Sequence, residues 1–370
     1  MRRCPVHSPE IGEESSGRND RSPPRLDSWA FVFPHIFAMK SAVTGARRIF
    51  RHKSFRIVSG LAVSVLMMWL AVRRIDLAEL GHDLQSASLR WIALGVLFYA
   101  FELVFRVERW GRILRPVRRL RYRDVGAALL IGYAANNVLP AKIGELFRAD
   151  FIGRRHGISR VAAVGTIVVE RLLDMGIVIF CTIMGILLAD PRRSLPDFLL
   201  SGTAIAMSGL VLVSIVLVIL AKRPFPEAWL SRFPRISVHL GAFVSGLRSF
   251  GRSRLFVGVA GLSAVVWLCN AWAVWAVLNA VGVDAGYATV LLVIGVAGIA
   301  AAIPAAPANL GTLQLAFVTT LTATGYSATA GFAAALLIQV FFMGSVTFAG
   351  AALYALRHWQ PVKRGGDAAT

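Results

Sequence analysis

Apolar residues follow one another in long unbroken blocks along most of this chain, with no alternating or amphipathic spacing. Crossing about 30 Å of hydrocarbon takes roughly 20 apolar residues in a helix, and most of the blocks approach or exceed that length. Soluble helical bundles rarely carry such blocks. The pattern predicts an all-α, polytopic transmembrane helical bundle. The blocks cover residues 57–72, 89–107, 125–139, 161–188, 202–221, 255–281, 288–303 and 328–356, and a shorter apolar piece ends at Thr324.

Two of the blocks are interrupted by proline. Residues 125–139 would form a helix of only about 22 Å and are followed by Pro140, while residues 288–303 run into the segment PAAPANLG. A proline-broken segment leaves backbone groups without partners, so within a membrane it must be packed in protein or line a wet cavity. Transporters build substrate sites near the membrane midplane from broken helices of this kind.

The charges between the blocks predict the topology. Residues 106–124 carry 8 cations and 2 anions, and residues 222–254 carry 7 and 1, whereas residues 73–90 and 189–201 are balanced at 3 and 3 and at 2 and 2. Cytoplasmic loops are enriched in Lys and Arg, which places the first two segments inside. Residues 142–160 carry 5 cations and 2 anions, so they too should be cytoplasmic.

That assignment requires the block before residue 142 to enter and leave the membrane on the cytoplasmic side. We therefore predict six full spans and two re-entrant helical hairpins, the second of which dips from outside and turns between Pro304 and Gly311. Both termini would lie in the cytoplasm of a bacterial cell, with the spans in its inner membrane. Residues 46–358 would form the transmembrane domain, residues 1–45 and 359–370 disordered cytoplasmic segments, with Met39 as an alternative start to Met1.

Composition supports a membrane location and excludes several function classes. Hydrophobic residues make up 56% of the chain, charged residues only 16%, and the mean hydropathy is +0.63, whereas soluble domains are about 25% charged. The net charge of +20 comes from cations between apolar blocks, where they meet anionic lipid and not nucleic acid. Three scattered cysteines give neither a disulfide framework nor metal-ligand spacing. No phosphate-binding loop or dinucleotide motif is present, so we expect no cofactor.

The two halves of the chain show a faint internal repeat. LPAKIGELFRAD, followed by a span with VVERLLD, matches PANLGTLQLAF, followed by a span with LLIQVFF. Gly144 aligns with Gly311, and Glu170–Arg171 aligns near Ile338–Gln339 after a one-residue gap. One copy would dip from inside and the other from outside, which is the relation between inverted repeats in transporters.

Ionisable residues at membrane depth are the candidate site. Charges there cost from about 2.5 to more than 10 kcal/mol, so they face the protein interior and pair. Three interpretations stay open: a structural clamp that pairs Arg171 with Glu145 and Arg148 with Glu170 or Asp174, a polar groove for a charged lipid headgroup, and a proton relay through Glu170 and Asp174. The candidate residues are Glu102, Asn136, Asn137, Lys142, Glu145, Arg148, Glu170, Arg171 and Asp174.

Other conspicuous residues have plainer explanations. The arginine-rich run at residues 106–123 is typical of a solvated cytoplasmic face that contacts anionic lipid. The tryptophans suit membrane interfaces or helix packing, and GVAGIAAAIP suits close helix contacts. No Ser-His-Asp or Cys-His set is discernible, so we expect no enzyme activity. The tryptophans concerned are Trp91, Trp110, Trp267, Trp272 and Trp275.

The segment at residues 132–174 resembles the UPF0104 family, flippase-like membrane domains related to the transmembrane region of lysylphosphatidylglycerol synthase. The resemblance extends over roughly residues 50–358. It depends on an Asn, a Pro-to-Gly-Glu-x-x-Arg turn, a Glu-Arg-x-x-Asp helix and a later proline-rich glycine turn. The matching residues are Asn137, Pro140, Gly144, Glu145, Arg148, Glu170, Arg171, Asp174, Pro304, Pro307 and Gly311.

The second hairpin departs from the family pattern. The family usually has a Gly-Gly turn followed by Glu, where this chain has Asn309 and Gln314, and Gln339 stands at a position that is often basic. The charge pairing of the second hairpin is therefore expected to differ, together with the headgroup it meets.

The resemblance implies movement of a lipid or glycolipid across the membrane, without lysyl transfer, which needs a separate soluble domain. The implied partners are membrane lipids, among them anionic phospholipids, polyprenyl-linked sugars and hopanoids. The alternative is a non-transporting accessory subunit that scaffolds a membrane glycosyltransferase or lipid-modifying enzyme, which would then be the partner.

Overall fold

Helices account for all the regular secondary structure in the part of the chain that the computed structural model describes, residues 61–139, 143–189, 197–222, 253–302 and 307–358. The N-terminal segment, the tail, the segment at residues 223–252, Pro140, Lys142 and Pro304 lie outside these residues. The helices are α1 Leu61–Val72, α2 Leu77–Gln85, α3 Leu89–Leu114, α4 Tyr122–Val138, α5 Gly144–His156, α6 Arg160–Leu188, α7 Asp197–Lys222, α8 Ser253–Ala280, α9 Tyr287–Ala302, α10 Thr312–Ala323, α11 Ala328–Leu337 and α12 Gly344–His358, with a 3-10 turn at Pro307–Asn309 and a π-helical segment at Ile338–Met343 between α11 and α12.

Two of the helices, α2 and α11, begin where a short polar side chain accepts hydrogen bonds from their first N–H groups. The Asp76 carboxylate accepts hydrogen bonds from the N–H groups of Ala78 and Glu79 at 2.7 and 3.3 Å and starts α2. The Ser327 hydroxyl oxygen does the same for α11. Such caps contribute about 1 kcal/mol each. The apolar blocks alone did not predict α2, a short helix with no buried residue that bends by 79° into α3.

All six predicted full spans correspond to helices. By length and composition, three of the described helices can cross a membrane: Arg160–Leu188, Leu255–Ala280 and Ala328–Leu356. A fourth span results if α2 and α3 count as one bent pair. The other two predicted spans appear as shorter apolar helices. They are α1, Leu61–Val72, and the segment Ser201–Val216 within α7. The all-helical membrane fold is confirmed.

The two predicted hairpins exist as pairs of packed helices. Helix α4 packs against α5 on the far side of Pro140, and α9 packs against α10 on the far side of residues 303–311. The return arm of the first hairpin is more polar than its entry arm and carries Glu145 and Arg148. The side of the membrane from which each hairpin enters stays a prediction.

Helix packing follows the internal repeat. In the first half α5 packs against α4 and α6, and in the second half α10 packs against α9 and α11. The halves also exchange contacts reciprocally, since α4 packs on α12 while α9 packs on α6, and α3 packs on α8. The one-residue gap of the sequence alignment falls in a loop, which has three residues between α5 and α6 and four between α10 and α11.

Small residues allow the closest of these contacts. A Cβ on Gly298 would lie 2.6 Å from Val178 Cγ2, and one on Gly185 would lie 2.6 Å from Leu292 Cγ, so α6 and α9 touch through their glycines. This confirms the packing role predicted for GVAGIAAAIP. Between α3 and α8 the contact is aromatic, with Trp91 and Trp275 in a T-shaped arrangement 5.1 Å apart.

Candidate functional site

Helix α3 places a stripe of charge inside the bundle. Glu102, Arg106 and Arg109 recur at intervals of four and three residues, so they share one face of the helix. The Arg106 Nε donates a hydrogen bond of 2.7 Å to the Glu102 carboxylate. Arg109 has no exposed side-chain surface, and Glu102 is 2% exposed.

Helix α6 supplies the anions that Arg109 needs. Glu170 and Asp174 lie one turn apart, and the Arg109 guanidinium donates to both, at 3.0 Å to Glu170 Oε1 and at 2.6 Å to Asp174 Oδ1. The other Glu170 oxygen accepts a 2.6 Å hydrogen bond from Arg148 of α5. Charge-assisted bonds of this length are the strong class, so α3, α5 and α6 are fastened together through Glu170.

Helix α8 closes the cluster with neutral donors and acceptors. Ser263 Oγ accepts a 3.1 Å hydrogen bond from Arg109, the Trp267 indole donates to Asp174 at 3.0 Å, and the Asn270 amide donates to Glu102 at 3.0 Å. Buried carboxylates need such additional partners because a guanidinium alone leaves some of their lone pairs unsatisfied.

An aromatic platform lies under Arg148. Its guanidinium carbon is 3.5 Å from the centroid of the Trp110 ring, and the Trp110 indole donates to Thr166 Oγ1 at 3.2 Å. A cation over an aromatic face gains about 2 kcal/mol or more when desolvated. Trp110 is fully buried, so of its two predicted roles, interfacial anchor and helix packing, the structure gives it the second.

The charges in this cluster sum to zero. Four guanidinium groups face four carboxylates, and a buried ion left without its partner would cost several kcal/mol. We call these eight residues the charged cluster: Glu102, Arg106, Arg109, Glu145, Arg148, Glu170, Arg171 and Asp174.

Exposure rises toward one end of the charged cluster. The side chains of Arg109 and Glu170 have no exposed surface, whereas Arg171 is 41% and Glu145 32% exposed. Arg171 Nε lies 3.1 Å from Glu145 Oε1, and its other nitrogens lie 3.6 Å from Asp174 and 3.8 Å from Glu170. The Glu145–Arg171 pair therefore forms the accessible mouth of an otherwise buried network.

Apart from Lys142, which lies outside the described residues, the structure brings together the predicted ionisable residues and adds Arg106 and Arg109. Both predicted pairs are present, Arg171 with Glu145 and Arg148 with Glu170. The prediction of a solvated face for residues 106–123 is wrong at its start, because α3 continues to Leu114, buries Arg109 fully and leaves the Arg106 side chain only 11% exposed. The spacing of both arginines from Glu102 was the sequence signal that would have revealed them.

The tip of the first hairpin is fixed by close packing. A Cβ on Gly144 would lie 2.6 Å from the Asn136 backbone nitrogen, so only glycine lets α5 approach α4 this closely. The Asn137 amide donates at 2.9 Å to Thr347 Oγ1 and at 3.2 Å to the Met343 carbonyl, which ties α4 to the other half of the chain. Asn137 therefore links the two halves, and neither of these hydrogen bonds goes to the charged cluster.

The second hairpin replaces charge with amides. The Gly311 N–H donates to Gln314 Oε1 at 2.8 Å, Gln314 Nε2 lies 2.5 Å from Gln339 Oε1, and Gln339 Nε2 donates to the Ala308 carbonyl at 3.1 Å. The turn after Pro307 has left-handed backbone at Asn309 and at Gly311. The departure predicted from Gln314 and Gln339 is thus a neutral pair, between segments of the second half that correspond to the helices joined by Glu145 and Arg171 in the first half.

An apolar cavity of about 230 Å³ lies elsewhere, between α1, α7, α9 and α10. Its walls are aliphatic apart from three threonines. It shares no residue with the charged cluster. The lining residues are Met67, Gly202, Thr203, Val296, Ile299, Ala300, Thr312, Leu315, Ala316 and Thr319.

Comparison with known proteins identifies the family. Glycosyltransferase AglD of Haloferax volcanii is 26% identical over 335 residues, which are 80% of this chain and 53% of that relative. A UPF0104 membrane protein of Methanocaldococcus jannaschii is 26% identical over 126 residues, 33% of this chain and 38% of the relative. Another, of Methanothermobacter thermautotrophicus, is 22% identical over 277 residues, 70% of this chain and 80% of the relative.

The chain thus spans about half the length of the Haloferax relative and less of the Methanocaldococcus one. The sequence profile of the family described as the lysylphosphatidylglycerol synthase TM region matches residues 57–350. Because this match covers well over half of the 370 residues, the protein is an α-helical membrane protein that belongs to the lysylphosphatidylglycerol synthase transmembrane-region family.

Proposed function

We propose that this protein moves a lipid or glycolipid between the leaflets of a membrane and that the charged cluster forms the path of the headgroup. The observation that carries the proposal is a neutral network of four arginines and four carboxylates inside an apolar bundle, accessible at Glu145 and Arg171. Burying such a network in a membrane is costly. A single ion pair would be enough to fasten two helices together, and this network is larger.

The electrostatic balance suits a path for a polar headgroup. A headgroup that enters at Arg171 exchanges ion pairs instead of creating an unpaired charge, since each cation of the cluster already faces a carboxylate. Its acyl or prenyl chains stay in the surrounding hydrocarbon. The clamp and the path are compatible, because the same ion pairs that fasten α3, α5 and α6 together also line the route.

In this proposal the chain carries no catalytic step of its own. It would lie in a bacterial cell membrane with both termini in the cytoplasm, and its partners are membrane lipids. The sequence has no phosphate-binding loop for ATP, so transport is passive or coupled to a gradient.

The test is lipid translocation by the purified full-length protein in vesicles, measured as the loss of protection of a fluorescent headgroup-labelled lipid from a membrane-impermeant quencher. We expect the wild-type protein to accelerate translocation, and Arg148→Ala and Arg171→Ala to abolish the acceleration. The matched control is Arg154→Ala, which removes an exposed partner of Asp150 on the same helix as Arg148. Unchanged translocation in both cluster variants would overturn the headgroup path.

The name of the Haloferax relative favours a second candidate function. A chain that matches about half of a glycosyltransferase would also suit a non-transporting subunit that scaffolds a membrane glycosyltransferase or lipid-modifying enzyme. That candidate predicts a stoichiometric protein partner on purification from native membranes, with no lipid translocation by the chain alone.

A further inference from the structure

Arg171 is the least satisfied cation of the charged cluster. Arg106, Arg109 and Arg148 each donate at least one hydrogen bond of 2.7 Å or less to a carboxylate. From Arg171 no hydrogen bond of acceptable geometry reaches any of the residues described, and its three carboxylate contacts range from 3.1 to 3.8 Å. A guanidinium has five N–H donors in a planar fork, so Arg171 retains donor capacity at the accessible end of the network.

The Glu145 carboxylate marks the position of an anion next to that fork. Glu145 lies in the first turn of α5, where the helix start carries a partial positive charge, and Ile143 at the N-cap provides no side-chain cap. Helix starts of this kind favour carboxylate and phosphate alike. The positive end of α5 and the Arg171 guanidinium therefore converge on one anion, and that anion is 32% exposed.

The charge of the cluster limits which anion can replace Glu145. If the Glu145 side chain swings away, four cations face three anions, and one negative charge restores neutrality. A phosphodiester carries a single negative charge, whereas a phosphate monoester carries about −1.5 to −2 at neutral pH. An uncharged headgroup would leave the cluster with one unbalanced positive charge.

We propose that Arg171 anchors the phosphate of a lipid phosphodiester in the place of Glu145, which holds this position until the lipid displaces it. The inference rests on the proposed function and narrows its ligand class. The guanidinium fork matches two phosphate oxygens at once, which a lysine ammonium cannot do. Phospholipids and polyprenyl phosphosugars share this chemistry, and hopanoids lack it.

The experiment is a calorimetric titration of the purified full-length protein in detergent with short-chain lipids. The probes are dioctanoyl phosphatidylglycerol, a short prenyl phosphosugar and uncharged dioctanoylglycerol. We expect Arg171→Gln to raise the Kd for the phosphodiesters about tenfold and Glu145→Gln to lower it about tenfold, as one charge-assisted hydrogen bond in a half-exposed site would. Tighter binding of one phosphodiester identifies the lipid source.

Two matched controls come from an ion pair between α5 and α6 that lies outside the charged cluster. Asp150 pairs with Arg160 at 2.7 Å, with side chains 35% and 60% exposed, and Asp150→Asn and Arg160→Gln should bind like the wild type. Dioctanoylglycerol should respond to none of the four substitutions. Thermal unfolding of each variant checks that it is folded.

A Glu145→Gln protein that binds phosphodiesters no better than the wild type overturns the inference, even if Arg171→Gln binds poorly, because damage to the cluster would also weaken binding. A different result is expected if the inference is right but the proposed function is wrong. Both shifts in Kd then occur, and the wild-type protein moves no lipid in vesicles. If lipid is moved but neither Kd shifts, the translocation proposal stands and this inference is wrong.

Discussion

Arg109 and Arg112 differ by three positions on α3 and have opposite environments. Arg109 is fully buried between Glu170 and Asp174, whereas Arg112 pairs with Glu108 at 2.6 Å with its side chain 37% exposed. On a helix the two residues lie about 60° apart in the direction of their side chains, after three steps of about 100°. This rotation separates a buried charge from one near the surface.

We expect Arg109→Ala to destabilise the protein by about 3 to 5 kcal/mol, because it leaves the buried Asp174 without its main partner and removes one of the two guanidinium groups that bond to Glu170. Arg112→Ala should cost at most about 0.5 kcal/mol, as exposed i,i+4 pairs do. Reversible unfolding in mixed detergent micelles measures both. Similar losses for the two variants would contradict the burial that separates them.

Sequence reasoning predicted the anions and Arg148 but placed Arg106 and Arg109 in a cytoplasmic face. The error had a physical cause: the apolar block ends at Val107, and a high density of arginines usually marks the end of a span. The helix continues to Leu114 because the carboxylates of α6 neutralise the arginines on one of its faces. Those carboxylates lie more than 60 residues away, so no local pattern contains them.

At the scale of helices, the hairpins were predictable because proline and short apolar blocks leave few alternatives. The sequence did not predict how closely the two helices of each hairpin approach one another. In the first hairpin Gly144 allows the close approach, because a Cβ there would clash with the backbone of α4. The same contact positions Glu145, which directly follows Gly144, and Arg148, which lies about one turn further along α5.

We expect Gly144→Ala to destabilise the protein by about 1 to 3 kcal/mol, because an added methyl group forces tightly packed backbone apart. It should also slow lipid translocation by displacing Glu145. The matched control is Gly176→Ala on α6, where a Cβ would meet nothing within 4 Å and where alanine favours the helix by up to about 1 kcal/mol. Unfolding of both variants in micelles distinguishes a packing effect from a general intolerance of substitution at glycine.

For the whole molecule, the reciprocal packing of its halves gives the weak sequence repeat a structural basis. Helices α4 and α9 each pack on the last span of the opposite half, and the polar links at Glu145–Arg171 and Gln314–Gln339 connect equivalent helices. The repeat differs in charge, however. The first half has an ion pair where the second half has two neutral amides, an asymmetry that neither composition nor hydropathy could have predicted.

An inverted repeat predicts that equivalent loops lie on opposite sides of the membrane. Ser159 ends the loop after α5, and Thr322 lies at the end of α10, and both are exposed. In a background without Cys4, Cys181 and Cys269, we expect Ser159→Cys to react with a membrane-impermeant thiol reagent from the cytoplasmic side only, and Thr322→Cys from the outside only.

Arg121→Cys, at the start of α4, should react from the same side as Ser159→Cys, because a re-entrant hairpin returns to the side of the membrane from which it entered. Labelling of Ser159→Cys and Thr322→Cys from one side would show that the two halves are parallel, and the lipid would then have no equivalent hairpin at the opposite leaflet.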